Sequence, residues 1–412
     1  MTTSPDVVVV GAGIAGSALA IALARGGLEV TVLERETAYR DKVRGEVFVP
    51  WGAAEVRRLR IDDVLLGAGG GYVTRLASID EEAGATDGEP RAVPLDQLLP
   101  DVPGSLNVGH PEACQALADA ARAAGATVVR GVGDIAVTPG SGPRVTYRLG
   151  AVDHEMDCRL AVGADGRRSM LRRHLGIHHE ESEPVVIGGG MLVDEAAGWP
   201  GDLNVTSTHD DVYFLAFPRP GHRVRVYLMW AMTQKGRFTG PERQRQFLEA
   251  CRSASLTYAH AVADGHPAGP CSSYPMNDSR CDTIVADGLV LVGDAAGWSD
   301  PIIGQGLSVA VRDARMVSEV LLGGGDWSSA AFGGYVEQRT ERMRRISFSA
   351  RLTTVLRTTF GPEDRALRQG LGERTGHDPL VLAPVLAVLT GPERAPGEAF
   401  TDANMERCLG RT

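Results

Sequence analysis

The segment Gly11-Ala12-Gly13-Ile14-Ala15-Gly16 constrains this chain more than any other. It follows Val7-Val8-Val9-Val10 and leads into an alanine-rich stretch that runs to Ala24. Four consecutive valines favour a buried strand, because β-branched side chains suit a pleated surface. Ile14 to Ala24 favours a helix with small residues on its contact face. Gly11 then permits a tight turn, Gly13 lets the backbone approach a pyrophosphate, and Gly16 lets the helix pack closely on the strand. Ile14 and Ala15 open that helix, where free N–H groups and the positive dipole end favour phosphate. Leu28 to Leu33 reads as a second strand, completing a βαβ unit of about 30 residues. It runs into Glu34-Arg35, and Glu34 stands 18 residues after Gly16. A carboxylate there accepts both ribose hydroxyls of an adenosine and disfavours a 2′-phosphate, so NADP is not expected at this half of the fold. The motif by itself does not separate FAD from NAD.

The same stretch raises a competing reading. Val7 to Ala24 is 18 residues without a charge, the threshold for a membrane helix. Three glycines interrupt it, and no second apolar run of that length exists, so no membrane span is expected. A secretory signal is disfavoured because Asp6 precedes the run and no Lys or Arg does. Cysteines 114, 158, 251, 271, 281 and 408 show neither CxxC nor zinc spacing, which points to reduced thiols and a cytoplasmic protein. The balance of 42 basic against 52 acidic residues gives −10, which argues against nucleic acid as a partner. At 412 residues two or three domains are expected.

Texture along the chain divides it. Helices are expected over Pro50 to Leu59 and Pro111 to Ala124, with strands near 126–130, 143–149 and 155–162. From about Glu183 to Cys271 period-two alternation dominates, as in Arg223-Val224-Arg225-Val226-Tyr227-Leu228-Met229-Trp230. Val224, Val226, Leu228 and Trp230 share one face of that strand, and Arg225, Tyr227 and Met229 the other. Such alternation suggests antiparallel strands. Gly288 to Gly293 is a buried strand, and Leu307, Ala310, Val311, Ala314, Val317 and Leu321 make one apolar helical stripe. After Trp327 the chain reads as arginine-rich helices laid against an acidic body. The expectation is an α/β protein: a Rossmann-like nucleotide-binding domain (1–75, 95–182 and 270–325), an inserted antiparallel-sheet substrate domain (76–94 and 183–269), and a C-terminal helical region (326–412).

Two further motifs carry chemistry. Gly163-Ala164-Asp165-Gly166-Arg167-Arg168-Ser169 lies between a strand and a helix. Val292-Gly293-Asp294-Ala295-Ala296-Gly297 is followed by Asp300-Pro301-Ile302-Ile303-Gly304-Gln305-Gly306-Leu307. Asp294 ends a buried strand, where ligand crevices form in open α/β sheets, and its carboxylate suits a ribityl or ribose hydroxyl. Gly304 and Gly306 open the long helix and expose N–H groups that stabilise an anion, including the charge of a reduced flavin.

In this order the three motifs resemble the para-hydroxybenzoate-hydroxylase-type, group A, FAD-dependent monooxygenases over most of the chain. The resemblance implies bound FAD, NADPH or NADH as co-substrate, and O2. It implies hydroxylation or epoxidation of an electron-rich aromatic or polyketide-like substrate through an FAD C4a-hydroperoxide, by a monomer or homodimer. It adds Arg44 as an FAD contact. The family usually has an arginine opening the helix near residue 110, where this chain has His110: either His110 takes that cofactor-facing role or the contact is lost. Ser308 stands where the family often has asparagine. For a phenolic substrate, Glu46, Tyr213, His222 and Tyr227 are candidate bases. Alternatives are a reductase or dehydrogenase of the same fold and a flavin-binding protein without turnover. Halogenases share the scaffold, but their best-known type needs an active-site lysine and a WxWxIP motif. This chain has only Lys42 and Lys235, and no WxW spacing. His178-His179-Glu180-Glu181 reads as a solvated turn, not a metal site.

Overall fold

The computed structural model describes residues 4–80, 91–252 and 257–411. Residues 81–90 of the expected inserted domain lie outside them. β1 (Val7–Val10), α1 (Ile14–Arg25) and β2 (Val30–Glu34) form the expected βαβ unit. β2 starts two residues late because the Leu28 N–H closes the turn after α1 on the Leu23 carbonyl. Next come α2 (Pro50–Arg58), β3 (Arg75–Asp80), α3 (His110–Ala123), β4 (Thr127–Arg130) and β5 (Leu160–Gly163). The single strand expected over 155–162 is in fact two. Val152–Asp157 pairs antiparallel with Arg144–Leu149, whereas β5 pairs parallel with β1. The chain changes sheet at Arg159, whose N–H donates to the Asp6 carbonyl. Val132–Thr138, which the pattern did not reveal, completes the smaller sheet.

The long alternating region forms β6 (Val186–Asp194), β7 (Leu203–His209), β8 (Val212–Arg219) and β9 (Arg223–Ala231). β10 (Leu289–Leu291), α4 (Gly306–Leu322), α5 (Gly333–Arg357), α6 (Pro362–Thr375) and α7 (Pro379–Thr390) follow.

A six-stranded sheet is ordered Val285–Ala286, β10, β5, β1, β2, β4, and all its pairings are parallel except the Val285–Ala286 edge. Its strands are near-continuous apolar runs because α1, α3 and α4 cover it. An eight-stranded sheet holds β6, β9, β8, β7 and β3 in that order, with short strands at its edges. β3 joins β7 in parallel, Ser78 opposite Thr206. Alternation sorts its faces as expected. Val224, Val226, Leu228 and Trp230 enter a core with Phe214 and Phe247. Tyr227 and Met229 emerge on the other face beside Tyr213 and Leu215. The triple glycine in β6 is a packing device. A Cβ on Gly188, Gly189 or Gly190 would come within 2.5, 2.8 and 2.6 Å of Met276, Trp230 and Tyr227.

The arginine-rich helix does lie against acids. Arg339 is buried on α5 and bonds Asp313 of α4 at 2.8 Å, and it also donates to the carbonyls of Gly293, Ala296 and Gly297. Residues 178–181 are not a turn: His179–Glu181 is a short strand paired with Ser279–Cys281. No helix among the described residues is long and apolar enough to cross a membrane.

Candidate active site

β10, β5, β1 and β2 are adjacent, so the turns after them meet at one edge of the sheet. Gly11 follows β1, Asp165 follows β5, Asp294 follows β10, and Glu34 ends β2. Such an edge is where open α/β sheets form ligand crevices. Here it opens into one cavity of about 740 Å³. Of the expected cofactor residues, Gly11, Gly13, Ile14, Ala15, Glu34, Arg35, Arg44, His110, Asp165, Gly293, Asp294, Pro301, Gly304, Gly306 and Leu307 line it. Gly16 and Gln305 do not.

The three glycines of the first motif differ in what a methyl group would meet. At Gly11 a Cβ would stand 2.4 Å from the Ala164 carbonyl, with φ at +105°. At Gly16 it would stand 1.9 Å from the Gly11 carbonyl. At Gly13 it meets nothing within 4 Å, so the backbone there faces open cavity. Gly13 also caps α1 without any side-chain hydrogen bond, which leaves the helix N–H groups for an anion. The buried Glu34 carboxylate accepts from the Ala12 N–H at 2.6 Å and the Glu36 N–H at 2.8 Å, but among the described residues no cation pairs with it. Arg44 crosses the Tyr274 ring at 4.9 Å. Desolvation and the neighbouring Arg167 push its guanidinium down from its ordinary pKa, an arrangement that an anion relieves.

Asp165 accepts from Met170 N–H at 2.6 Å through one oxygen, while its other oxygen is buried without a partner among the described residues. Asp294 pairs with Arg167 at 3.2 Å. Behind it, Asp313 accepts the Gly293 N–H at 2.9 Å, so the turn is held from both sides. Gly304 adopts φ +63°, and α4 begins without a side-chain cap. The Gln305 side chain turns away from the cavity and ties α4 to Trp51 at 2.9 Å and to the Val388 carbonyl at 3.1 Å. Ser308 also turns away. Its hydroxyl packs on α2, where a Cβ on Gly52 would come within 2.0 Å of it. His110 opens α3 beside Gly45, and burial pushes its imidazole below the usual pKa, so it is neutral at pH 7. The orphan oxygen of Asp165, the open side of Gly13 and the acid–base order along the trough fit FAD laid from Glu34 to Gly304. Among the described residues no cluster of His, Cys, Asp and Glu suits a metal.

The four candidate bases fare differently. His222 sits in the turn between β8 and β9 with φ +58° and does not line the cavity. Glu46 lines the cavity, but Arg219 grips it through two nitrogens and Arg225 bonds it at 3.0 Å. Burial pushes its carboxyl up and the two guanidiniums pull it back, and its lone pairs are occupied. Tyr213 and Tyr227 line the cavity. Burial pushes both phenols up, so each is a neutral hydroxyl and not a ready-made base. The Tyr227 hydroxyl has no partner among the described residues.

Beyond the nucleotide trough the cavity continues between the sheet and the C-terminal helices. Ser78, Thr206, Leu352, Leu356, Arg357, Leu382 and Leu386 line this chamber. Sequence reasoning missed all of them. α7 carries an almost uninterrupted apolar run, which was the available signal, but nothing local shows which surface it covers.

Residues 4–347 match the family described as FAD binding domain. A menaquinone reductase of Mycolicibacterium smegmatis is 29% identical over 346 residues, 80% of each chain. A 6-methylpretetramide 4-monooxygenase of Streptomyces rimosus is 30% identical over 334 residues, 77% of this chain and 75% of that one. The solved p-nitrophenol 4-monooxygenase of Pseudomonas putida DLL-E4 has TM-score 0.76 at 19% identity, over 95% of this chain and 99% of that one, which shows the fold. Flavin-dependent halogenases share that fold as well. With three nucleotide-binding motifs meeting in one trough and a family match over most of its length, the chain belongs to the FAD-binding-domain family, as an FAD-dependent oxidoreductase of the group A monooxygenase type.

Proposed function

We propose that the chain is an NAD(P)H- and O2-dependent FAD monooxygenase that hydroxylates or epoxidises an electron-rich organic substrate. One observation carries the reading: the nucleotide trough and the apolar chamber are a single cavity, whose wall includes Gly304, Gly306 and Leu307 at the N-terminus of α4. FAD, held by residues such as Gly13, Glu34 and Asp165, would supply the redox chemistry of hydride acceptance and O2 activation. The chain's own groups do the rest. The uncapped end of α4 favours negative charge near Gly304. Aliphatic walls from β8, α5 and α7 exclude water. Tyr213 and Tyr227 offer neutral hydroxyls to substrate oxygens. Lysine-dependent halogenation is not favoured: Lys42 lines the cavity on the nucleotide side, where it is paired with Glu36 at 3.1 Å, and Lys235 lies exposed beyond β9.

We further propose the division into a flavin domain (1–75, 95–182 and 270–325), a substrate domain (76–94 and 183–269) and a C-terminal region (326–412), in a cytoplasmic monomer or homodimer. The test is a substrate screen under air. A hit consumes one NADPH or NADH and one O2 per product, and the product gains one oxygen atom. Product formed equally well without O2 would transfer the assignment to a reductase, the reading that the menaquinone reductase relative favours.

A further inference from the structure

The chamber beyond the flavin trough is apolar with one charged corner. Leu215, Leu352, Leu356, Leu382, Leu386 and Leu389 supply its walls. Among the described residues, the carboxylates on the cavity wall (Glu34, Glu36, Glu46, Asp165 and Asp294) belong to the nucleotide half or to the arginine clamp. Among the described residues the chamber half holds one charged lining residue, Arg357, at the end of α5.

Arg357 is incompletely neutralised. One terminal nitrogen donates to Ser78 Oγ at 2.7 Å. Among the described residues the nearest acid is Asp80, at 4.0 Å. Asp80 is already taken by Arg368, which reaches both of its oxygens. A guanidinium has five N–H donors in a planar fork suited to a carboxylate or a similar oxyanion. Around it stand three hydroxyls. Ser78 and Thr206 are cross-strand neighbours, and Tyr213 lies on the next strand, paired opposite Thr208. The leucines shield this corner only in part, since the Arg357 side chain keeps 25% of its surface exposed, so a charge here interacts somewhat more strongly than at a fully open surface.

We propose that Arg357 is a specificity-determining residue, and that the chamber takes a substrate larger than one ring, mostly apolar, bearing one acidic oxygen that the guanidinium holds. This rests on the monooxygenase reading for the word substrate, but the binding chemistry stands apart from turnover. The apolar body lies along α5 and α7, and the acidic oxygen sits at Arg357 beside Ser78, Thr206 and Tyr213. The anchor fixes which carbon of the body is presented to the flavin end.

The test uses flavin-loaded protein and three probes: anthracene-2-carboxylate, anthracene-2-carboxamide and benzoate. Binding is read by calorimetry and by perturbation of the bound flavin's absorbance. In the native protein the anthracene acid binds about tenfold or more tighter than its amide, the span expected of one charge-assisted contact. Benzoate binds weakly. Arg357→Gln removes the preference by weakening the acid alone, and Arg357→Lys restores part of it. Leu352→Trp, which fills the apolar part, weakens both anthracene probes and leaves benzoate unchanged. An acid no tighter than the amide, or an Arg357→Gln variant that weakens both alike, overturns the proposal. Flavin content measured in the same samples keeps the two readings apart. Protein without flavin counts against the monooxygenase, whereas flavin-loaded protein that ignores the acid counts only against Arg357.

Discussion

Gly11 and Gly13 are two residues apart and do different physical jobs, which a single added methyl separates. Gly11→Ala meets the Ala164 carbonyl and a φ of +105°, so the apoprotein is expected to lose about 1–3 kcal/mol in urea denaturation. Gly13→Ala meets open space at φ −73°, so the apoprotein keeps its stability while FAD binds about tenfold or more weakly in a fluorescence titration. Equal melting of the two variants, or unchanged FAD affinity in Gly13→Ala, would contradict these roles. Asp300 gives a pH signature. Burial pushes its carboxyl up to about 6, against a weaker opposing hydrogen bond from the Ile302 N–H. A raised acid stabilises the fold while protonated, and that contribution is lost as pH rises through about 6. Asp300→Asn apoprotein is therefore expected to melt higher than the native chain at pH 7.5, with the gap closing towards pH 5. A gap independent of pH would refute the assignment. At this scale the sequence was most readable where chemistry is local. The placement of Gly11, Gly13 and Glu34 at the cavity was legible because local spacing sets their geometry. The surroundings of Glu46 and His222 were not legible, because an acid or imidazole in sequence does not disclose the two arginines that grip one or the turn that holds the other.

At the scale of elements, α5 works as a brace for the flavin turn. Arg339 bonds three carbonyls of residues 293–297 and the buried Asp313 behind them. Cutting one member of a buried, fully bonded pair costs about 3–5 kcal/mol. Arg339→Met is expected to lose that much in denaturant titration and to hold FAD more weakly, since the Asp294 turn loosens. A loss below about 1 kcal/mol would show that the brace is dispensable. The sequence showed an arginine-rich helix facing an acidic body, but not which acid, because Asp313 and Arg339 are brought together only by the packing of α4 on α5. The β strands divide the same way. Period-two alternation placed Val224 to Trp230 on the correct faces. The parallel pairing of β3 with β7, which joins segments over a hundred residues apart and sets Ser78 beside Thr206, leaves no local mark.

For the whole molecule, the nucleotide trough and the apolar chamber are one space, walled by the sheet edge, the second sheet and the C-terminal helices. The α/β order was legible because each βαβ segment carries its own period and glycine signals. The role of α7 was not, since an apolar helix declares that it is covered without declaring by what. The continuous space makes a specific demand: a bound flavin must sense the chamber. Leu356→Trp, far from the three glycine motifs, should leave FAD binding intact and change how a chamber ligand alters the flavin spectrum. The most direct measurement is the titration of apoprotein with FAD, followed on the same sample by addition of anthracene-2-carboxylate. The account predicts one FAD per chain, lost in Gly13→Val while the fold persists, and a flavin spectrum that shifts when the acid enters. A protein that stays colourless with FAD in excess, or that binds it equally well with valine at position 13, would contradict it.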